Sequence, residues 1–423
     1  MKFDSKRHIA SLRATVILFI VAILVGALPE RSEAQYFSKW LAIGSYQHLY
    51  NSGGSRTEND YGNEGIEWPA INSHKGHYRA LGLVIMAPNW DPGAGEPYDV
   101  YSAHFGPRDV GEGEFFQGEL SLITKHASPL VSVDGLSTFQ KPIFIDTVRS
   151  QKPEFDAMMY NTASTVTGIS IERNMRAFSN EYHDNYHISE YTFTNTGDID
   201  GDGETEIEQD LEGVLFTFFN RYTINYEAGY PSGVGWGRNS MNDVVNDGNK
   251  DYDVDFDNLA VYAWHGRFPS FTAWNNLGAP SVDARGGNIQ NADTLGRLTA
   301  SEFVGRIHLH ADVSATDETN APQVGSTAPA NSQPFGTNII DSDDNLTTET
   351  DPDNVARNVS EYNFASEGHI YPYHADNVMP PPAANGQGGV LDPVEWRNRF
   401  ANQDRRPDYI SAGGFQNVIV YGP

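Results

Sequence analysis

Two stretches near the middle of the chain repeat with the period of a β-strand, and one acidic segment joins them. Residues 187–194 (H-I-S-E-Y-T-F-T) alternate in the way expected of a half-buried strand. In residues 214–222 the same period places four apolar side chains on one side: Val214, Phe216, Phe218 and Tyr222. The simplest arrangement is a long β-hairpin with an acidic connection, so we predict two strands here and direct pairing between them.

The acidic connection, residues 195–208 (N-T-G-D-I-D-G-D-G-E-T-E-I-E), has the composition of a cation site. Asp198, Asp200 and Asp202 alternate, so their carboxylates can converge on one point, and Gly203 allows a sharp turn of the backbone. Ionised carboxylates about 4 Å apart repel one another by roughly 1 kcal/mol per pair in water. Bound Ca²⁺ would relieve this repulsion, and we therefore predict calcium as the cofactor.

This segment is not a standard EF-hand, because Gln209 stands where the calcium loop needs a bidentate glutamate. Strand-like flanks also replace the helices of that motif. We expect a glutamate or backbone carbonyls to complete the shell, and the predicted metal ligands are Asp198, Asp200, Asp202, Glu204 and Glu206. The alternative is a solvated acidic turn, since aspartate and glycine both suit turns. A second acidic run, residues 247–257, is either another calcium site or a solvent-facing strand edge.

The first 34 residues have the three parts of a secretory signal peptide. Positive residues at the start precede an apolar run at 15–28, and Ser32 and Ala34 supply small side chains before a cut at Gln35. The apolar run is shorter than the ~20 residues that span a bilayer. We therefore expect a protein that is secreted, extracellular or part of the cell envelope, with no transmembrane segment in the mature chain.

The composition excludes several classes of function. The chain has no cysteine, which excludes thiolate catalysis, Cys-ligated metals and disulfides. Its net charge of −28 disfavours nucleic acid as a partner and is compatible with divalent cations. With 40 glycines, 23 prolines and 12% aromatic residues, the chain is typical of β structure with many turns.

Three further segments carry weaker predictions. His308, His310 and Asp312 alternate onto one face and are either the beginning of a zinc site or polar residues of a strand. Residues 315–354 are poor in apolar side chains, which predicts a long loop. Residues 392–402 begin with Asp-Pro, which predicts one short helix.

Several phrases of the chain together resemble a group of large secreted β-rich proteins of environmental bacteria that have no assigned activity. The phrases include I-E-W-P-A at 66–70, G-P-R-D-V-G-E-G-E-F-F at 106–116, E-Y-T-F-T-N-T-G at 190–197 and V-Y-G-P at 420–423. The resemblance covers most of the mature chain and consists of turn and strand phrases. It implies export, β structure and further β modules beyond residue 423, and it implies no catalytic residues.

We predict a mainly β fold of antiparallel, sandwich-like sheets with long loops and at most two short helices. The expected organisation is a signal peptide at 1–34, an N-terminal β region at 35–160 and a sandwich-like region at 161–423 that is truncated at its C-terminal end. The predicted role is structural or adhesive, stabilised by calcium, with glycans or cell-surface components as partners. A polysaccharide-acting hydrolase or a glycan-binding module is the alternative, and the sequence assigns no catalytic residue.

Overall fold

β-Strands make up nearly all the regular structure in the part of the chain that can be described. The computed structural model describes residues 36–55, 65–70, 76–77, 79–106, 111, 113–127, 132–134, 136–137, 144–151, 154–222, 240–245, 258–265, 303–320, 335–339, 355–366 and 416–422. The strands of the first half are β1 (Ser38–Leu41), β2 (Gln47–Asn51), β3 (Ile66–Glu67), β4 (Gly76–His77), β5 (Arg79–Trp90), β6 (Tyr98–Phe105), β7 (Phe115–Thr124), β8 (Ser132–Val133), β9 (Leu136–Ser137), β10 (Thr147–Val148), β11 (Ala157–Thr165), β12 (Ile169–Ala177) and β13 (His187–Asn195). The later elements are β14 (Leu215–Tyr222), β15 (Ser240–Val245), β16 (Ala260–His265), β17 (Phe303–Ile307), β18 (Asp312–Ser314), β19 (Asp317–Asn320), β20 (Phe335–Ile339), helix α1 (Val355–Ser366) and β21 (Gln416–Tyr421).

One five-stranded antiparallel sheet, which we call the central sheet, has the order β20-β21-β14-β5-β6. Its strand β14 pairs with β5 and β21 and carries apolar side chains on both faces, so both faces of the sheet need a covering layer. Leu215 and Phe219 are fully buried on one face, where Ala365 of α1 packs against the sheet. The Tyr362 hydroxyl of α1 also donates to the Gly213 carbonyl at 2.6 Å.

A second five-stranded sheet, which we call the flanking sheet, has the order β10-β7-β11-β12-β13. All its pairs are antiparallel except β10 with β7, which is parallel. The smaller sheet β1-β2-β3-β4 packs on it through one apolar cluster. That cluster includes Leu41, Tyr50, Leu122, Met159 and Met175, all of them buried.

The other face of the central sheet is covered by the three-stranded sheet β15-β16-β17. Leu259 and Val261 pack against Ile419 of β21, and Ala263 packs against Tyr222 of β14. Tyr222 and Phe219 therefore point to opposite faces of the same strand, as the period of two requires.

The predicted β-hairpin between residues 187–194 and 214–222 is wrong. Both segments are strands, β13 and β14, but β13 pairs with β12 in the flanking sheet and β14 pairs with β5 and β21 in the central sheet. The half-buried β13 lies at the edge of its sheet, whereas β14 lies inside the central sheet, where α1 covers one of its apolar faces and β16 covers the other. The acidic connection therefore passes from one sheet to another.

The mainly β fold class is confirmed, with α1 the one helix among the residues that the structure describes. The long loop predicted at 315–354 is wrong in part, because β19 and β20 lie within it. The boundary predicted between residues 160 and 161 falls inside β11. Residues 1–34, 247–257 and 392–402 lie outside the described residues. Among the described residues, no helix has the length and apolarity needed to cross a membrane.

Candidate functional site

The acidic connection begins where β13 ends, and backbone hydrogen bonds fix both its ends. Thr196 and Gly197 donate from their amides to the Gly168 carbonyl at 2.8 and 3.0 Å. Further along, the amides of Glu206 and Ile207 donate to the Gly197 carbonyl at 3.1 and 3.2 Å. The intervening residues 198–205 therefore form a closed turn that stands on the β11–β12 corner.

Glycine is required at the tip of this turn. Gly201 has a φ of +81°, and a Cβ atom there would lie 2.5 Å from Cβ of Phe116 in β7. Gly203 has a φ of +89° and has no atom within 4 Å of its Cβ position. The predicted sharp turn at Gly203 is thus confirmed, and Gly201 additionally allows the turn to pack on the flanking sheet.

The aspartates organise the turn through their own backbone. Both carboxylate oxygens of Asp198 accept amide hydrogens, from Gly201 at 2.7 Å and from Gly203 at 3.1 Å. Asp200 accepts from the amide of Asp202 at 3.2 Å, and Asp202 accepts from the amide of Glu204 at 2.8 Å. Each carboxylate oxygen keeps a further lone pair for a cation, because a carboxylate offers about four acceptor positions.

Three of the five predicted ligands come together. Asp198, Asp200 and Glu206 each offer one carboxylate oxygen, and these oxygens lie within 4.8 Å of one another. Asp198 is buried, whereas Asp200 and Glu206 are exposed. Oxygens bound to one metal ion at about 2.4 Å can lie at most about 4.8 Å apart, so the spacing of this group allows it to hold a metal ion. Asp202 and Glu204 are outside the group.

Glu206 reaches the group because its carboxylate accepts the amide hydrogen of Ile199 at 3.0 Å. Gln209, at the position of the missing EF-hand glutamate, has a different task. Its side chain donates to the Asn89 carbonyl at 2.8 Å and accepts from the Asp91 amide at 3.1 Å. Gln209 therefore ties the end of the connection to the turn after β5 in the central sheet.

The two histidines of the predicted zinc alternative lie in different environments. His308 is buried, and its Nδ1 lies 3.2 Å from the Tyr421 hydroxyl. His310 is exposed and pairs with Asp312 at 2.9 Å. Burial, with a smaller effect from His310, lowers the pKa of His308 to about 4. Within the described part of the chain, the three-ligand group at Asp198 is the one arrangement with metal-site spacing.

A large cavity of about 1950 Å³ is lined by β2, β13, β14, β17 and the end of β21. Aromatic rings form one wall: Phe193 stacks on Phe216 with centroids 4.0 Å apart, and Tyr191 meets Phe218 edge-on at 5.0 Å. Sequence analysis missed this cavity. The strand period showed which side chains share a face, but these residues come from strands of different sheets.

The fold and the acidic turn define a mainly β protein in which a sheet-to-sheet connection could hold a metal ion. Comparisons of the chain with protein-family models, with curated proteins and with solved structures find no match.

Proposed function

We propose that this chain is a secreted or cell-envelope β protein with a structural or adhesive role, and that Ca²⁺ bound by Asp198, Asp200 and Glu206 stabilises it. The observation that carries the proposal is the convergence of three carboxylates, one of them buried, on a connection between two sheets. Buried carboxylates without a cationic partner are costly, and a bound cation removes that cost.

Calcium suits this group better than magnesium or zinc. All the candidate ligand atoms are carboxylate oxygens, which hard cations prefer, and the group contains no histidine. Calcium accepts irregular shells of six to eight oxygens, so water and backbone carbonyls can complete the coordination. Magnesium needs shorter and more regular distances of about 2.0–2.1 Å.

Bound calcium would act on two sheets through one turn. The turn packs on Phe116 of the flanking sheet, and Gln209 bonds to the backbone beside β5 of the central sheet. A cation that rigidifies the turn therefore favours the native arrangement of both contacts. Such a cross-link supports a structural role in a chain that has no disulfides.

The test is a matched pair of substitutions, Asp200→Asn and Asp202→Asn. Both side chains are exposed, and each accepts the amide hydrogen two residues ahead. Both substitutions remove one negative charge, but only Asp200 belongs to the group. We expect Asp200→Asn to weaken calcium binding at least tenfold by calorimetry, and Asp202→Asn to change it less than threefold. Equal effects, or no calcium binding by the unsubstituted protein, would contradict the proposal.

Glycan binding is the second candidate function, and the aromatic wall of the cavity favours it. Flat rings such as Phe193 and Phe216 can cover the apolar face of a pyranose. The glutamates near aromatic residues do not favour hydrolysis as the function, because each already has a partner. Glu114 accepts a hydrogen bond from His104 in a buried pair, and Glu190 pairs with Arg176. Calorimetric titration with a neutral and an acidic simple sugar, methyl glucoside and methyl glucuronide, tests this candidate, and absence of heat with both would argue against it.

A further inference from the structure

An arginine lies in the cavity without a carboxylate partner. Arg306 of β17 is half-buried, and its guanidinium carbon lies 4.9 Å from the centre of the Phe218 ring. Within the described part of the chain, its guanidinium forms no hydrogen bond or ion pair, although its backbone pairs with β16. Burial opposes its charge, but nearby tyrosines, Tyr191 first, raise the pKa of Arg306 above its ordinary value. The side chain therefore keeps its positive charge and its five donors for a ligand.

A second arginine adds positive charge to the same cavity. Arg173 of β12 is 2% exposed, and it donates to three neutral acceptors: the side chain of Asn161 and the carbonyls of Asn51 and Gly54. Its guanidinium carbon also lies 6.0 Å from the ring centres of Tyr50 and Tyr191. No carboxylate of the described residues neutralises Arg173, so its charge contributes to the potential of the cavity.

A buried ring nitrogen also lacks a partner. His308 follows β17 two residues after Arg306, so both side chains face the same way, and both line the cavity. His308 is 2% exposed, and its Nε2 has no hydrogen-bond partner. When the Tyr421 hydroxyl donates to Nδ1, Nε2 carries the hydrogen and requires an acceptor. A ligand oxygen would satisfy this buried donor.

Acidic residues of the cavity do not cancel this positive region. Glu190 is paired with Arg176 at 2.6 Å, and Asp312 is paired with His310 at 2.9 Å. Glu318 also lines the cavity and is exposed to solvent, where water screens its charge. The chain as a whole carries −28, so the positive charge of this cavity is a local feature.

We propose that the cavity binds an acidic sugar, a pyranose that carries a carboxylate. Arg306 pairs with the carboxylate, Nε2 of His308 donates to a sugar oxygen, and the partly exposed rings of Phe193 and Phe216 pack on the apolar face of the sugar. This inference rests on the second candidate function, glycan binding, and is independent of the calcium site. Carboxylates suit the planar fork of arginine, and aromatic faces suit the sugar ring.

The test uses three probes: methyl glucuronide, methyl glucoside and acetate. The two sugars differ at one position, a carboxylate against a hydroxymethyl group, and acetate supplies the carboxylate without the ring. Calorimetric titrations are performed with calcium present. We expect methyl glucuronide to bind at least tenfold more tightly than either of the other two probes. We expect Arg306→Gln to remove that preference, while Arg149→Gln, an exposed arginine outside the cavity, leaves it intact.

The possible outcomes distinguish the acidic-sugar inference from glycan binding in general. If methyl glucoside binds as tightly as methyl glucuronide, the acidic-sugar inference is wrong and glycan binding stands. If neither sugar binds, both are wrong, and tight binding of acetate alone overturns the role of the sugar ring. Should Arg306→Gln not fold, as judged by its circular dichroism and melting temperature, the comparison of probes on the unsubstituted protein still decides.

Discussion

Two glycines at the tip of the acidic turn allow the strain of a positive φ to be measured apart from the strain of a steric collision. We expect Gly203→Ala to destabilise the protein by roughly 1–2 kcal/mol, because its positive φ disfavours any Cβ atom. Gly201→Ala adds a collision with Phe116 and should cost roughly 2–5 kcal/mol. Urea denaturation of the two variants measures the difference, with Gly203→Ala as the control. Equal losses would mean that the turn does not pack on Phe116.

His308 should make the stability of the protein depend on pH. Its pKa is about 4 in the folded protein and about 6.5 in an unfolded chain, so below pH 6.5 only the unfolded state takes up this proton. The contribution of neutral His308 to the free energy of unfolding is therefore fully present above pH 6.5. It is lost as the pH falls towards 4, which lowers the free energy of unfolding by up to about 3 kcal/mol. Urea denaturation at several pH values measures this loss.

We expect His308→Gln to reduce the pH dependence between pH 6.5 and 4. His126→Gln is the matched control, because His126 is exposed. If both variants lose stability with falling pH as the unsubstituted protein does, burial of His308 is not the source of the effect.

At the scale of elements, the acidic connection should protect a neighbouring turn, as well as its own residues, from local opening. Gln209 bonds to the backbone at Asn89 and Asp91, so opening of the connection also frees the turn after β5. We expect removal of calcium to speed amide hydrogen exchange in residues 195–210 and in 89–93, because local opening requires less free energy without the cation. The β15–β16 pair is the internal control, and equal acceleration there would indicate global destabilisation instead.

The strands could be predicted from sequence, whereas their partners could not. Alternation in residues 187–194 and 214–222 gave β13 and β14, since the period depends only on local geometry. Pairing depends on which distant strand covers each face, and a short sequence distance favoured the wrong hairpin. Helix α1 was missed because its apolar contacts, Val359, Tyr362 and Ala365, are few and widely spaced in polar sequence.

The acidic turn could be predicted from the sequence, whereas the cavity could not. Asp198, Asp200 and Glu206 lie within nine residues of one another, so their spacing in the sequence suggested a metal site. The sequence did not show which glutamate joins the two aspartates, because this depends on the amide of Ile199, which donates to Glu206 and not to Glu204. Arg173 lies more than 130 residues from Arg306 and His308 in the sequence, and only the packing of several sheets brings the three residues to one cavity.

At the scale of the whole molecule, the proposed calcium turn connects two sheets of a chain that has no cysteine and therefore no disulfides. The measurement that tests this claim most directly is a thermal melt of the purified protein with calcium and with chelator, together with elemental analysis. Calcium at about 100 times its dissociation constant contributes about 2.7 kcal/mol, which for a chain of this length predicts a rise in melting temperature of about 3 °C and roughly one calcium ion per chain. An unchanged melting temperature with no bound calcium would contradict the proposed calcium site and would leave the connection as a solvated acidic turn.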